Sequence, residues 1–201
     1  VQSAKYTAMD MESMLRNYLA EKTPGKMPYL GLVHRLDQPV EGLILFAKNP
    51  KAAAELSRQL SDHRTVKEYL AVTDRPVAVM EADLADYLVK DARTNTSRAA
   101  SGKEPGAKEA RLHYAVEGQQ GDRTLLRIRL DTGRHHQIRV QMSHHGMPLV
   151  GDRKYGGTAD GTELALCAAH LVFRHPRDGR TMEFEIQPKG RVFSVRESAS
   201  V

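Results

Sequence analysis

Cysteine is nearly absent. Cys167 is the single one in 201 residues, so the chain cannot close a disulfide on itself, which points to a reducing compartment. Flanked by Leu166 and Ala168, its thiol reads as a small buried group rather than a nucleophile. Long apolar runs are missing too. No stretch approaches the ~18 residues of a membrane-spanning helix, and the opening "VQSAKYTAMD" has no signal-peptide pattern. The expectation is a soluble cytoplasmic protein with no membrane partner. Neither a glycine-rich phosphate loop leading into a helix nor a G-x-S-x-G nucleophile elbow occurs.

What is present is an ordinary globular composition, 40% hydrophobic and 27% charged, too apolar for a wholly disordered chain. The length suits one domain, residues 1–201, with a monomer as the default. The net charge of +5 hints at a polyanionic partner without establishing one.

Along the chain, "MDMESMLRNYLAEK" places Met11, Met14, Leu15, Tyr18 and Leu19 on one helical stripe. The apolar run Leu43 to Ala47 reads as a buried strand. Asn49 followed by Pro50 starts a second helix, with Ala53, Leu56 and Leu60 on its buried face. "TVKEYLAVT" is β-rich, and "PVAVMEADLADYLV" continues toward another strand. Residues 91–108 lack apolar periodicity and read as a mobile loop. "EARLHYAVE", "TLLRIRL" and "TMEFEIQ" alternate like strands, whereas "RHHQIRVQMSHHG" reads as a helix with Ile138 and Met142 inward and Gly146 as its stop. Strands dominate and do not alternate regularly with helices. The fold class is therefore α+β, a mostly antiparallel mixed sheet with flanking helices.

Two histidine pairs, His135/His136 and His144/His145, raise the question of a metal. Helical spacing would bring His136 and His144 to nearly one face. Yet position 140 is valine, and neither cysteine nor an acidic ligand lies nearby. A solvated or RNA-facing helix is the better reading, and no metal site is expected. In "DTGRHHQ", Thr132 and Gly133 lead toward a helix expected to carry Arg134 in its first turn and Arg139 in its second. Such a start suits a phosphate, or else a plain cap with solvent-facing arginines. Asp37, beside an arginine at a strand entrance, would by itself be read as a turn former or as the partner of a surface arginine.

Taken in order, "HRLDQPVEGLILFAKN", "KEYLAV", "TGRHHQIRVQMSHHGMPLVGDRKYG" and "HLVFRHP" resemble the RluA-type family of RNA pseudouridine synthases. The likeness runs from about residue 30 to about 188 and implies the fold of that family. It also implies isomerisation of uridine in structured ribosomal or transfer RNA, with no cofactor and no metal. The family's essential aspartate falls on Asp37, its active-site tyrosine on Tyr69, and the basic partner of the aspartate on Arg139. Chemically, breaking the N1–C1′ bond develops positive charge at C1′, which a carboxylate can stabilise or trap. An aromatic ring can stack on a flipped uracil, and a guanidinium can hold a carboxylate through two hydrogen bonds.

By the same resemblance Arg35 fills the vacated base stack or holds a phosphate. Arg134 contacts phosphate, and His34, the basic loop 92–108 and the histidine pairs His135/His136 and His144/His145 lie along the RNA path. Two departures stand out. The family's upstream K-P-x-G segment and N-terminal strands do not appear in this chain. Gln141 also stands where many members carry histidine. An RNA-binding protein that keeps the fold without catalysis is the rival expectation.

Overall fold

The computed structural model describes residues 10–158 and 161–195. Helix α1 (Met11–Lys22) starts where the Asp10 side chain accepts the Ser13 N–H at 2.8 Å. Its expected apolar stripe forms but is not buried: Met11, Met14 and Tyr18 are 46%, 58% and 53% exposed. Helix α2 (Pro50–Ser61) begins as expected, with Asn49 capping Ala52 N and Pro50 in the first turn. Leu56 is its buried apolar anchor, while Leu60 is only partly covered. Gln59 takes the remaining interior place. Its amide bonds both backbone groups of Arg174, at 3.0 and 2.8 Å, so its polar atoms stay satisfied although it is 1% exposed.

The short strands β1 (Gly31–Leu32) and β3 (Phe46–Ala47) pair antiparallel. Only the last two residues of the run 43–47 therefore form the expected strand. Its earlier amides are engaged elsewhere, Leu43 N by Ala168 O at 2.9 Å and Leu45 N by the His34 ring at 3.1 Å.

The main sheet contains β4 (Val66–Thr73), β5 (Glu81–Asp91), β6 (Thr96–Ala100), β7 (Lys108–Gln120), β8 (Arg123–Leu130), β9 (Leu166–Arg174) and β10 (Thr181–Glu185). Its spatial order is β10-β9-β4-β8-β7-β5-β6, antiparallel at every step. Among the described residues the one parallel pairing is β2 (Glu41–Gly42) with Cys167 and Ala168 of β9. Since β4 occupies the other side of β9, β2 extends the edge that β10 covers further along. The segment expected to be a loop, 91–108, contains β6, which pairs with β5 from Tyr87↔Ala100 to Asp91↔Thr96. Threonine, serine and arginine leave β6 no apolar signature; its partner strand supplies the order.

Alternation assigns the two faces of the sheet. On one face Ala71, Leu112, Tyr114, Leu126 and Ile128 pack with Ile138 and Met142 of helix α3 (Gln137–His144). On the other, Leu70, Cys167 and Ala169 form a separate cluster. Helix α3 starts later than expected. His136 precedes it in the left-handed conformation at φ 53, so Arg134 lies outside the helix and Arg139 falls in its first turn.

Candidate active site

A cleft of ≈ 550 Å³ opens where the β1–β2 loop, β4 and the approach to α3 meet. Asp37 stands in it at the head of a turn closed by Val40 N on Asp37 O at 2.8 Å, with a cis peptide between Gln38 and Pro39. Gly42, at φ 133, lets this loop pass against β9; a Cβ there would sit 2.5 Å from both Ala168 N and Ala168 O. The loop is thus anchored on the sheet just beyond the carboxylate it carries.

Burial is the largest influence on Asp37 and pushes its pKa up; Arg139, Arg35 and Lys154 oppose that, while Asp152 adds to it. Tyr69 reaches the same cleft from β4. Burial and then the Asp37 charge raise its hydroxyl to about 12, so Tyr69 is a neutral phenol at pH 7.

Arg139 also lines the cleft, but its fork is taken by Asp152. Nε reaches Oδ2 and Nη2 reaches Oδ1, each at 2.7 Å. The bidentate pairing expected with Asp37 therefore goes to another carboxylate, and Arg139 acts on Asp37 through space. Burial works against the Arg139 charge, yet its hydrogen bond to Asp152 leaves the pKa raised. Asp152 in turn accepts the backbone N–H groups of Lys154 and Tyr155 at 3.1 and 3.2 Å. The "GDRKYG" turn is thereby folded around one buried acid.

Arg35, Lys67, Lys90 and Arg134 put four cations on the cleft. Arg134 is tethered by its Nε to Glu109 O at 2.7 Å and is otherwise exposed. His34 and His135, both expected along the RNA path, are different. His34 accepts Leu45 N, and burial, with help from Lys67, lowers it to about 4. His135 bonds Ser97 Oγ at 2.9 Å and Asn95 Oδ1 at 3.1 Å, and burial followed by nearby cations lowers it to about 4. Both are neutral at pH 7, so neither offers a charge to phosphate; they brace the cleft walls.

His136 and His144 do not share a face. His136 turns toward Asp37 at 3.9 Å, whereas His144 lies 4.0 Å from Asp86 at the far end of α3. Among the described residues no group of three or more His, Cys, Asp or Glu is arranged to hold a metal ion. Gln141, 0% exposed, donates to Asp86 Oδ2 at 2.8 Å, away from the cleft. Asp152, Tyr155, Lys67 and Lys90 were not among the residues singled out from sequence, and His136, singled out as one of a histidine pair, was not expected beside Asp37. "GDRKYG" was the available signal for the first two, but no periodicity marks their reach into the site.

The sequence pattern of the family described as RNA pseudouridylate synthase matches residues 4–144. An uncharacterized RNA pseudouridine synthase of Bacillus subtilis (strain 168) is 37% identical over 157 residues, covering 77% of this chain and 51% of the relative. The ribosomal large subunit pseudouridine synthase D of Vibrio cholerae is 37% identical over 175 residues, covering 79% and 52%. The chain spans about half the length of these curated relatives. Two solved human structures share the fold. RNA Pseudouridylate Synthase Domain Containing 1 has a TM-score of 0.72 at 23% identity, covering 87% of this chain and 74% of its own. RNA Pseudouridylate Synthase Domain Containing 4 has 0.73 at 20%, covering 90% and 80%. The pairing of HRLD with KEYLAV, carried into one cleft and matched across most of the chain, has one conclusion: this protein belongs to the RNA pseudouridylate synthase family, in its RluA-type branch.

Proposed function

We propose that the chain isomerises uridine to pseudouridine in structured RNA, with Asp37 as the catalytic carboxylate. The observation that carries this reading is the placement of Asp37 and Tyr69 in one cleft bordered by Arg35, Lys67, Lys90 and Arg134. The N1–C1′ bond breaks with its electron pair left on N1, the uracil turns, C5 joins C1′, and the proton lost from C5 is balanced by one taken up at N1. Asp37 meets the positive charge that develops on the sugar. The Tyr69 ring stacks on the flipped base, and its neutral hydroxyl faces the bond-making edge with a lone pair. Arg139 keeps the field at Asp37 favourable to the anion without occupying its oxygens. Arg35 and Arg134 hold phosphates, a contact that contributes affinity and little sequence choice.

The name of the Vibrio cholerae relative favours ribosomal RNA as the substrate. We further propose that residues 1–201 act as one catalytic unit, monomeric and cytoplasmic. No helix among the described residues is long and apolar enough to cross a membrane.

Tritium release from ribosomal RNA labelled at uridine C5 tests the reading. Wild-type protein should release tritium and Asp37→Asn should not, while both retain RNA. Equal release from the two proteins would remove Asp37 from the mechanism. RNA retention without release from either would favour a non-catalytic binding protein.

A further inference from the structure

Beside Asp37 lies a run of hydrogen bonds that reaches back to the β5–β6 hairpin. The backbone N–H of Ser97 donates to Tyr155 Oη at 2.9 Å. That contact uses a lone pair of the phenol and leaves the phenol proton free to donate. The same Oη lies 2.6 Å from His136 Nδ1, and His136 Nε2 lies 3.9 Å from Asp37 Oδ2. His136 is 7% exposed, stacks on His135 at 3.8 Å and meets Tyr155 edge-on at 5.5 Å.

A neutral imidazole carries one proton, and its neighbours choose which nitrogen holds it. If Nδ1 held it, Tyr155 Oη would accept twice and its own proton would lack a partner. A lone pair on Nε2 would also confront the lone pairs of Asp37. If Tyr155 donates to Nδ1, every proton is used and Nε2–H points at the carboxylate. His136 adopts its left-handed backbone without any side-chain cap to α3. For a residue other than glycine that conformation is costly and marks a position held by its surroundings.

We propose that Ser97, Tyr155 and His136 form a fixed chain of donors that presents a neutral N–H to Asp37, keeping the carboxylate ionised and aimed at the substrate. His136 and Tyr155 are positioning residues in this account, which rests on the pseudouridine synthase reading above. Hydrogen bonds in unliganded sites are commonly long and tighten around bound substrate, which the 3.9 Å separation allows. The neutrality of His136 has independent support: burial, then His135, Arg139 and Lys154, lower it to about 3 against the pull of Asp152. The contact is therefore a dipole on an anion, added to the fields of Arg139, Arg35 and Lys154 and opposed by Asp152. Tyr69 faces Asp37 from β4 as a neutral group.

The first measurement is long-range ¹H–¹⁵N correlation of the histidine rings in wild-type protein at pH 7. It should find His136 protonated at Nε2 and bare at Nδ1. Tyr155→Phe should scramble that tautomer and move the acid limb of tritium release upward by roughly one pH unit. Its loss of rate, about tenfold on the acid side, should shrink toward pH 8. Ser97→Ala, which retains the backbone N–H, should leave the His136 tautomer as in wild type. A wild-type His136 protonated at Nδ1 would overturn the proposal even if Tyr155→Phe failed to fold. So would a Tyr155→Phe protein with an unchanged tautomer and a uniformly scaled pH profile. Absence of tritium release from wild-type protein counts against the reaction instead, and is read separately from the ring tautomer.

Discussion

Arg139 and Asp152 form a two-pronged ion pair with both contacts at 2.7 Å and side chains 6% and 1% exposed. The acid takes both prongs of the arginine, so that the guanidinium fork is spent on Asp152 and not on Asp37. A guanidinium clamped directly on Asp37 would occupy its oxygens; one paired with Asp152 instead acts on Asp37 only through its field.

Removing Asp152 strands a buried guanidinium. Asp152→Ala should lower stability by about 3–5 kcal/mol, read by urea denaturation. Tritium release should fall in the fraction that remains folded, because Arg139 can then swing onto Asp37. A loss below about 1 kcal/mol, the range of exposed pairs, would show that the pair is solvated in solution.

Asp37 should trade stability for activity. Its folded pKa is raised above the ordinary carboxylate value, so the folded state binds the proton more tightly than the unfolded chain does. Stability from this group is present below the unfolded pKa and is lost as pH rises through the folded one. Asp37→Asn should therefore melt at a higher temperature than wild type at pH 7. The difference should shrink as the pH is lowered through the carboxylate range. An equal melting temperature at every pH would mean that the Asp37 anion is not strained by its burial.

Gly42 carries the chain past β9 at φ 133 with Ala168 backbone atoms where a Cβ would be. Gly42→Ala should cost about 1–3 kcal/mol and displace the Asp37 turn. Its signature is a lowered kcat in protein that still binds RNA, compared at a temperature where both proteins are folded. Wild-type kcat in Gly42→Ala would uncouple the β2 contact from the position of Asp37.

Arg35 and Arg134 are predicted phosphate contacts, whereas His34 and His135 are not. Plots of log affinity for RNA against log salt should flatten by about 0.7 for each arginine changed to alanine. His34→Gln and His135→Gln should keep the wild-type slope near pH 7, since both rings are already neutral there. A flattened slope in either histidine variant would mean that RNA protonates the ring on binding.

Local signals are legible in the sequence. Asn49–Pro50 starts α2 because a side-chain oxygen and a missing N–H suit the first turn. The alternation in β7 and β8 was visible because those strands bury one face. The α1 stripe was legible in the same way and forms its helix, yet among the described residues Met11, Met14 and Tyr18 stay exposed, since periodicity says that a face can be buried and not that anything covers it. β6 was invisible for the opposite reason: its residues carry no apolar code, and pairing with β5 supplies its order.

The sequence by itself determined the family motifs, the α+β class and the candidate pair Asp37 and Tyr69, because those are written in short contiguous blocks. Only the tertiary structure pairs Arg139 with Asp152, surrounds His34 and His135 so that burial lowers their pKa values, and brings Ser97, Tyr155 and His136 together beside Asp37. Those partners come from different strands and turns, and burial among them sets their charge. Which groups meet, and in which protonation state, follows from how the sheet and its loops stack in space.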